Sequence, residues 1–83
     1  MKISIEISLY PLDKDYCQVI RDFLARVSQY QQVEIRYHPM TTQISGEYDV
    51  CMGLLTTELK QSFDQNKTIA SVIKIINMDM MDT

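Results

Sequence analysis

Side chains able to engage a ligand fall in two short stretches. Glu6, Ser8 and Tyr10 alternate with Ile7 and Leu9 near the N-terminus, and Thr41, Thr42, Gln43, Ser45, Glu47 and Tyr48 crowd the middle of the chain. Hydroxyls donate and accept, the Gln43 amide does both at once, and a carboxylate accepts from an amino group or a protonated ring nitrogen. Tyrosine rings offer a face to a flat heterocycle or a cation. This inventory suits recognition better than catalysis. The single histidine, His38, precedes Pro39 with no Cys or Asp at metal spacing. No serine sits in a nucleophile elbow, and no glycine-rich loop is present to cradle phosphate. Cys17 and Cys51 form no CxxC pair and read as small core residues in a reducing cytoplasm. The expectation is a protein that is not an enzyme and holds no metal and no cofactor.

Each candidate also has a plainer reading. Glu6, between Ser4 and Ser8, is an outward acid on a wet surface unless another subunit covers it. A covered carboxylate would require a cation or a good donor. Glu47 and Asp49 follow Gly46 and suit the first turn of a helix, where the dipole favours acids. Tyr10, Tyr37 and Tyr48 can equally be packing with the hydroxyl at the surface, and the six methionines are gap fillers.

These residues must be held by elements that the periodicity supplies. Residues 3 to 10 alternate strictly, with Ile3, Ile5, Ile7 and Leu9 on one side and Ser4, Glu6, Ser8 and Tyr10 on the other. That is a strand with one apolar face, ended by Pro11. Asp13 or Asp15 can cap a helix in which Tyr16, Val19, Ile20, Phe23, Leu24 and Val27 form an apolar stripe. Residues 33 to 38 alternate again, and Met40 to Ile44 reads as a short third strand closed by Gly46. Tyr48, Cys51, Met52, Leu55, Leu59 and Phe63 mark a second helix to about Gln65, broken by Asn66 and Lys67. Ile69 to Ile76 is the last strand, and residues 77 to 83 form a Met/Asp tail that is either loose or docked on a partner.

The order β-α-β-β-α-β with right-handed crossovers implies an α+β, ferredoxin-like sandwich: a four-stranded antiparallel sheet with two helices on one face. The uncovered face, bearing Ser4, Glu6, Ser8 and Tyr10, is the natural place for a ligand or a second subunit. Eighty-three residues give one domain, 1–83. A core this small is helped by oligomerisation. A net charge of −3 argues against nucleic acid, and no apolar run approaches bilayer length. The N-terminus carries Glu6 where a signal peptide would be unbroken and apolar, which points to the cytoplasm.

Two stretches carry a resemblance. Ser8-Leu9-Tyr10-Pro11-Leu12 resembles the S-x-Y-P-L signature of the thiamine/hydroxymethylpyrimidine-binding YkoF-like family and its DUF77 relatives. Residues Met40 to Asp49, with Met52 after them, resemble the family segment M-[GS]-T-x-[IV]-x-G-[ED]-x-[DE]. Thr41 departs from the usual Gly or Ser, and the tail departs from the usual charged ending. The resemblance implies a ferredoxin-like domain that associates through its sheets, as a homodimer or homotetramer, and binds thiamine or its pyrimidine without transforming it. Ser8, Thr42 and Gln43 would then hydrogen-bond the pyrimidine. Glu6 or Glu47 would supply charge, and Tyr10 or Tyr48 the stacking surface. The competing expectation is an oligomeric interaction or regulatory module with no small ligand, its sheet faces pairing between subunits.

Overall fold

Alternation of branched aliphatics with polar residues makes a strand, and here it does so over Lys2–Pro11, named β1. The computed structural model describes residues 1–12, 16–65 and 68–82. After β1 come α1 (Tyr16–Val27), β2 (Glu34–His38), β3 (Thr41–Glu47), α2 (Tyr48–Gln65) and β4 (Ile69–Ile76), with a 3-10 turn at Met80–Asp82. The expected caps Asp13 and Asp15 and the breakers Asn66 and Lys67 lie outside the described residues. The sheet order is β2-β3-β1-β4 with every neighbouring pair antiparallel, the α+β ferredoxin-like arrangement.

Register assigns the two faces. Ile3, Ile5 and Ile7 of β1 join Ile44 of β3 beneath the helices, where they pack with Phe23 and Val27 of α1 and Cys51, Leu54 and Leu55 of α2. Burial of a side chain of this size contributes roughly 1.5–3 kcal/mol, so this cluster is the main source of stability. The opposite face presents one row from edge to edge: Arg36, Gln43, Glu6 and Lys74 stand side by side across the four strands. Gly46 closes no strand; β3 runs through it to Glu47. A Cβ there would stand 3.1 Å from Val33 Cγ1 and 3.2 Å from the Gln32 carbonyl, so the close approach of chain at this point favours glycine.

Three expectations about local placement change. Cys17 is exposed, whereas Cys51 is buried. The buried stripe of α1 is Val19, Phe23 and Val27, and a residue two positions before Val19 is turned about 200° from it. In α2 the buried set is Cys51, Leu54, Leu55, Glu58 and Ser62, while Tyr48 and Phe63 are exposed. Glu47 is the last residue of β3 and only Asp49 sits in the first turn of α2. The C-terminal segment docks on its own sheet. Ser4 Oγ donates to the Met78 carbonyl (2.8 Å), accepts from the Met80 amide (2.8 Å) and lies 2.6 Å from Ser45 Oγ, with Met81 buried beside them. The end of the face that carries Ser4 is therefore covered from within the chain.

Candidate functional site

The end of the sheet farther from this docked segment holds a cavity of about 190 Å³. Its apolar wall comes from Ile7 and Leu9 of β1, Ile20 and Phe23 of α1, and Pro39 and Met40 of the β2–β3 turn. Ser8, Tyr10, Tyr37, Thr41 and Thr42 complete the lining. A cavity of about 150 Å³ admits one benzene ring, so this one has room for a single substituted six-membered ring.

Strand pairing explains how the polar members arrive there. Thr42 stands opposite Ile7 on β1 and Tyr37 on β2, so it shares the helix-side face. It is buried, and its hydroxyl forms no hydrogen bond among the described residues. Ser8 lies on the other face of β1 and donates to the Met40 carbonyl at 3.0 Å. Thr41 Oγ1 donates to the Ile7 carbonyl at 3.2 Å. These two bonds tie the β2–β3 turn to β1 and fix the mouth of the cavity. Their protons are engaged, but each hydroxyl keeps acceptor capacity. Tyr10 and Tyr37, both about half exposed, stand at the rim. No carboxylate, imidazole, amine or thiol lines the cavity among the described residues. Such a wall binds a ring and offers one free hydroxyl to orient it.

The remaining expected residues lie elsewhere. Glu6 and Gln43 are paired across β1 and β3 on the open face, with Lys74 Nζ 3.9 Å from the Glu6 carboxylate. They line a separate hollow of about 230 Å³ together with Ser4, Lys74, Ile76 and Met80. Glu47 and Tyr48 are at the far end of the sheet, opposite Lys2, five strand residues or about 17 Å from Ile7. There they hold the start of the chain: Glu47 pairs with the N-terminal ammonium at 3.1 Å, and the Tyr48 amide donates to the Met1 carbonyl at 2.9 Å. The structure thus brings Ser8, Tyr10 and Thr42 together and separates them from Glu6 and Gln43, and further from Glu47 and Tyr48. Sequence reasoning weighed Tyr37 for stacking but did not carry it to the site. It missed the wall formed by Ile20, Phe23, Pro39 and Met40, which carry only the signal of ordinary core and turn residues.

A polar cluster at the other end of α1 is fully committed to structure. Arg26 donates through Nε to Glu58 Oε1 (2.8 Å) and through Nη2 to the Glu58 carbonyl (3.0 Å) and Ser62. Tyr30 donates to Glu58 Oε2 at 2.7 Å. The phenol of Tyr30 is raised above its usual pKa, first by that hydrogen bond, then by burial and by the Glu58 charge. The Cys51 thiol is raised as well, first by burial and then by the Glu47 charge. A raised thiol is poorly nucleophilic, so Cys51 behaves as packing. Among the described residues no group of three or more potential metal ligands occurs, and no helix is long and apolar enough to cross a membrane.

Solved structures share this architecture. A Streptococcus pneumoniae protein superposes with a TM-score of 0.86 at 24% identity, over 98% of this chain and 91% of that one. A Thermotoga maritima protein that bears the name thiamine biosynthesis/salvage protein gives 0.82 at 18% identity, over 94% and 85%. A domain of unknown function DUF77 from Bacillus cereus gives 0.77 at 20% identity, over 96% and 79%. No curated protein matches the chain. These likenesses establish the fold, and the model of the YKOF-related family matches residues 2–78, so the chain belongs to that family.

Proposed function

We propose that this protein binds thiamine, or the hydroxymethylpyrimidine part of it, without transforming it, and that the pyrimidine ring enters the cavity beside the β2–β3 turn. The observation that carries the reading is a one-ring cavity whose wall presents the uncommitted Thr42 hydroxyl beneath two rim tyrosines. Thr42 bonds a ring nitrogen or the exocyclic amino group, since a hydroxyl serves either polarity. Ser8 acts chiefly by holding Met40 and so the mouth, and it accepts a bond from the ligand's amino group. The second ring of thiamine is a flat cation, too large to share the cavity, and it stays outside against Tyr10 and Tyr37. Membership in the YKOF-related family and the likeness to the Thermotoga protein support this choice of ligand.

The protein acts as a cytoplasmic homodimer or homotetramer. A second subunit laid on the open face closes the mouth where Ser8 and Tyr10 stand, which makes the site one between subunits. Glu6 and Gln43 then belong to that interface, and Glu47 and Tyr48 to the folding of the chain's start. The alternating row Arg36, Gln43, Glu6 and Lys74 also favours a second reading, in which the faces pair as an interaction module with no ligand. Isothermal titration of the full chain with thiamine and with hydroxymethylpyrimidine decides between them. Saturable heat from both supports binding; no heat at millimolar ligand rejects it and leaves the interaction module.

A further inference from the structure

The hollow of about 230 Å³ on the open face differs in kind from the ring cavity. Its floor is the middle of the row that crosses the sheet, Gln43, Glu6 and Lys74. Its wall is apolar: Ile76 of β4 and Met80 of the docked C-terminal segment, 44% and 41% exposed. That wall is held in place. The Met80 amide donates to Ser4 Oγ at 2.8 Å, and Arg36 Nη2 donates to the Met81 carbonyl at 3.4 Å, so the segment runs from the β4 edge toward β2 beside the row. The ring cavity offers a free hydroxyl and no charge, whereas this hollow offers both signs of charge and an amide.

The polar groups of the hollow are under-used. The Glu6 side chain is 38% exposed, and the Lys74 ammonium paired with it stands at 3.9 Å, too far for a hydrogen bond. Among the described residues neither the Glu6 carboxylate nor the Gln43 amide forms a hydrogen bond. A partly desolvated carboxylate and amide left unbonded carry a cost that a ligand with N–H donors removes. Lys74 is 78% exposed, and so open an ion pair is weak, which leaves its ammonium available to an anion. We propose that the hollow binds a free α-amino acid with an aliphatic or thioether side chain. The ligand's ammonium donates to Glu6 and to the Gln43 amide oxygen, and its carboxylate accepts from Lys74 and the Gln43 amide nitrogen. Its side chain lies against Ile76 and Met80. Size agrees: a cavity of about 150 Å³ takes benzene, so one of about 230 Å³ takes roughly nine non-hydrogen atoms, as in leucine or methionine. Every group named comes from one chain, and in a paired assembly the ligand would lie within the covered face.

This ligand is not the one proposed for the ring cavity, and its test does not involve thiamine. Backbone amide shifts of the full chain are followed by NMR during titration with L-leucine, and with leucinol, isocaproate and glycine. These three analogues lack the carboxylate, the ammonium and the side chain in turn. Leucine should give saturable shifts centred on Glu6, Gln43, Lys74 and Ile76, and each analogue should bind about tenfold more weakly or worse. Glu6→Gln and Lys74→Met keep the length of the side chains they replace at positions open to solvent, so both variants fold. Each should weaken leucine by about tenfold, the loss of one charge-assisted contact. Absence of saturation at high millimolar leucine overturns the proposal. So do shifts centred on the ring cavity, leucinol or isocaproate binding as tightly as leucine, or an affinity that neither substitution changes.

Discussion

The two ends of α1 treat polar groups in opposite ways. At its C-terminal end Arg26, Glu58, Tyr30 and Ser62 find one another, and both oxygens of the Glu58 carboxylate accept a hydrogen bond. Beneath Ile20 and Phe23 the helix stands over a cavity, and the Thr42 hydroxyl has no hydrogen-bond partner among the described residues. A closed network stabilises because no desolvated group in it lacks a partner, whereas an open one is available to a ligand. The contrast is the reason the proposed ligand is assigned to the cavity, and it makes the Arg26 cluster the clasp between the helices. Residue type alone would have favoured the reverse, since the clasp has the charges.

Substitutions can break this contrast at either end. Arg26→Ala should have the largest effect, lowering unfolding stability by about 3 kcal/mol because Glu58 is left buried without its cation. Urea denaturation measures it, and a loss below about 1 kcal/mol would mean that solvent already screens the pair. Gly46→Ala, near the same packed end, should cost roughly 1–3 kcal/mol by forcing Val33 and the Gln32 carbonyl away; an unchanged denaturation midpoint would refute the close approach. Thr42→Val tests the other end. It should leave stability unchanged or slightly higher, since no hydrogen bond is lost, yet weaken thiamine binding by about 1 kcal/mol, roughly fivefold. Loss of stability without loss of affinity would place Thr42 in the framework and not in the site.

The smallest effect concerns pH. Because the folded Tyr30 holds its proton more tightly than the unfolded chain does, its contribution is fully present below about pH 10, the ordinary tyrosine value. It declines as pH rises from there through the folded value. Tyr30→Phe should remove that part of the alkaline loss and leave the neutral-pH profile flat, as thermal melts at pH 7 and above pH 10 would show.

Legibility in the sequence followed the strength of the local pattern. β4 and α1 begin and end where periodicity put them, at Ile69–Ile76 and Tyr16–Val27. The two helix-facing and solvent-facing sets of β1 were likewise readable, because alternation fixes faces. In α2 the pattern misled. The buried stripe passes through Glu58 and Ser62, polar residues that no hydrophobic count selects, and they are tolerated only because Arg26 comes to them from α1. The polar run Thr41 to Gln43 looked like one cluster, but a strand sends consecutive side chains to opposite faces, so Thr42 and Gln43 lie on opposite sides of the sheet. Glu47 looked available, but the N-terminal ammonium pairs with it, and the exposed Tyr48 stands beside it at the far end of the sheet from the cavity.

The amino-acid order alone determined the sequence of elements, the ferredoxin-like class and the division of β1 into an apolar and a polar face. Those follow from period and from backbone chemistry, which act over a few residues at a time. Tertiary structure decided which polar groups are consumed and which stay free. It closed the clasp between two helices 32 positions apart, folded the Met-rich tail onto Ser4, and left a one-ring cavity where three elements fail to meet completely. Satisfaction of a hydrogen bond depends on where distant segments arrive, and no local pattern encodes that.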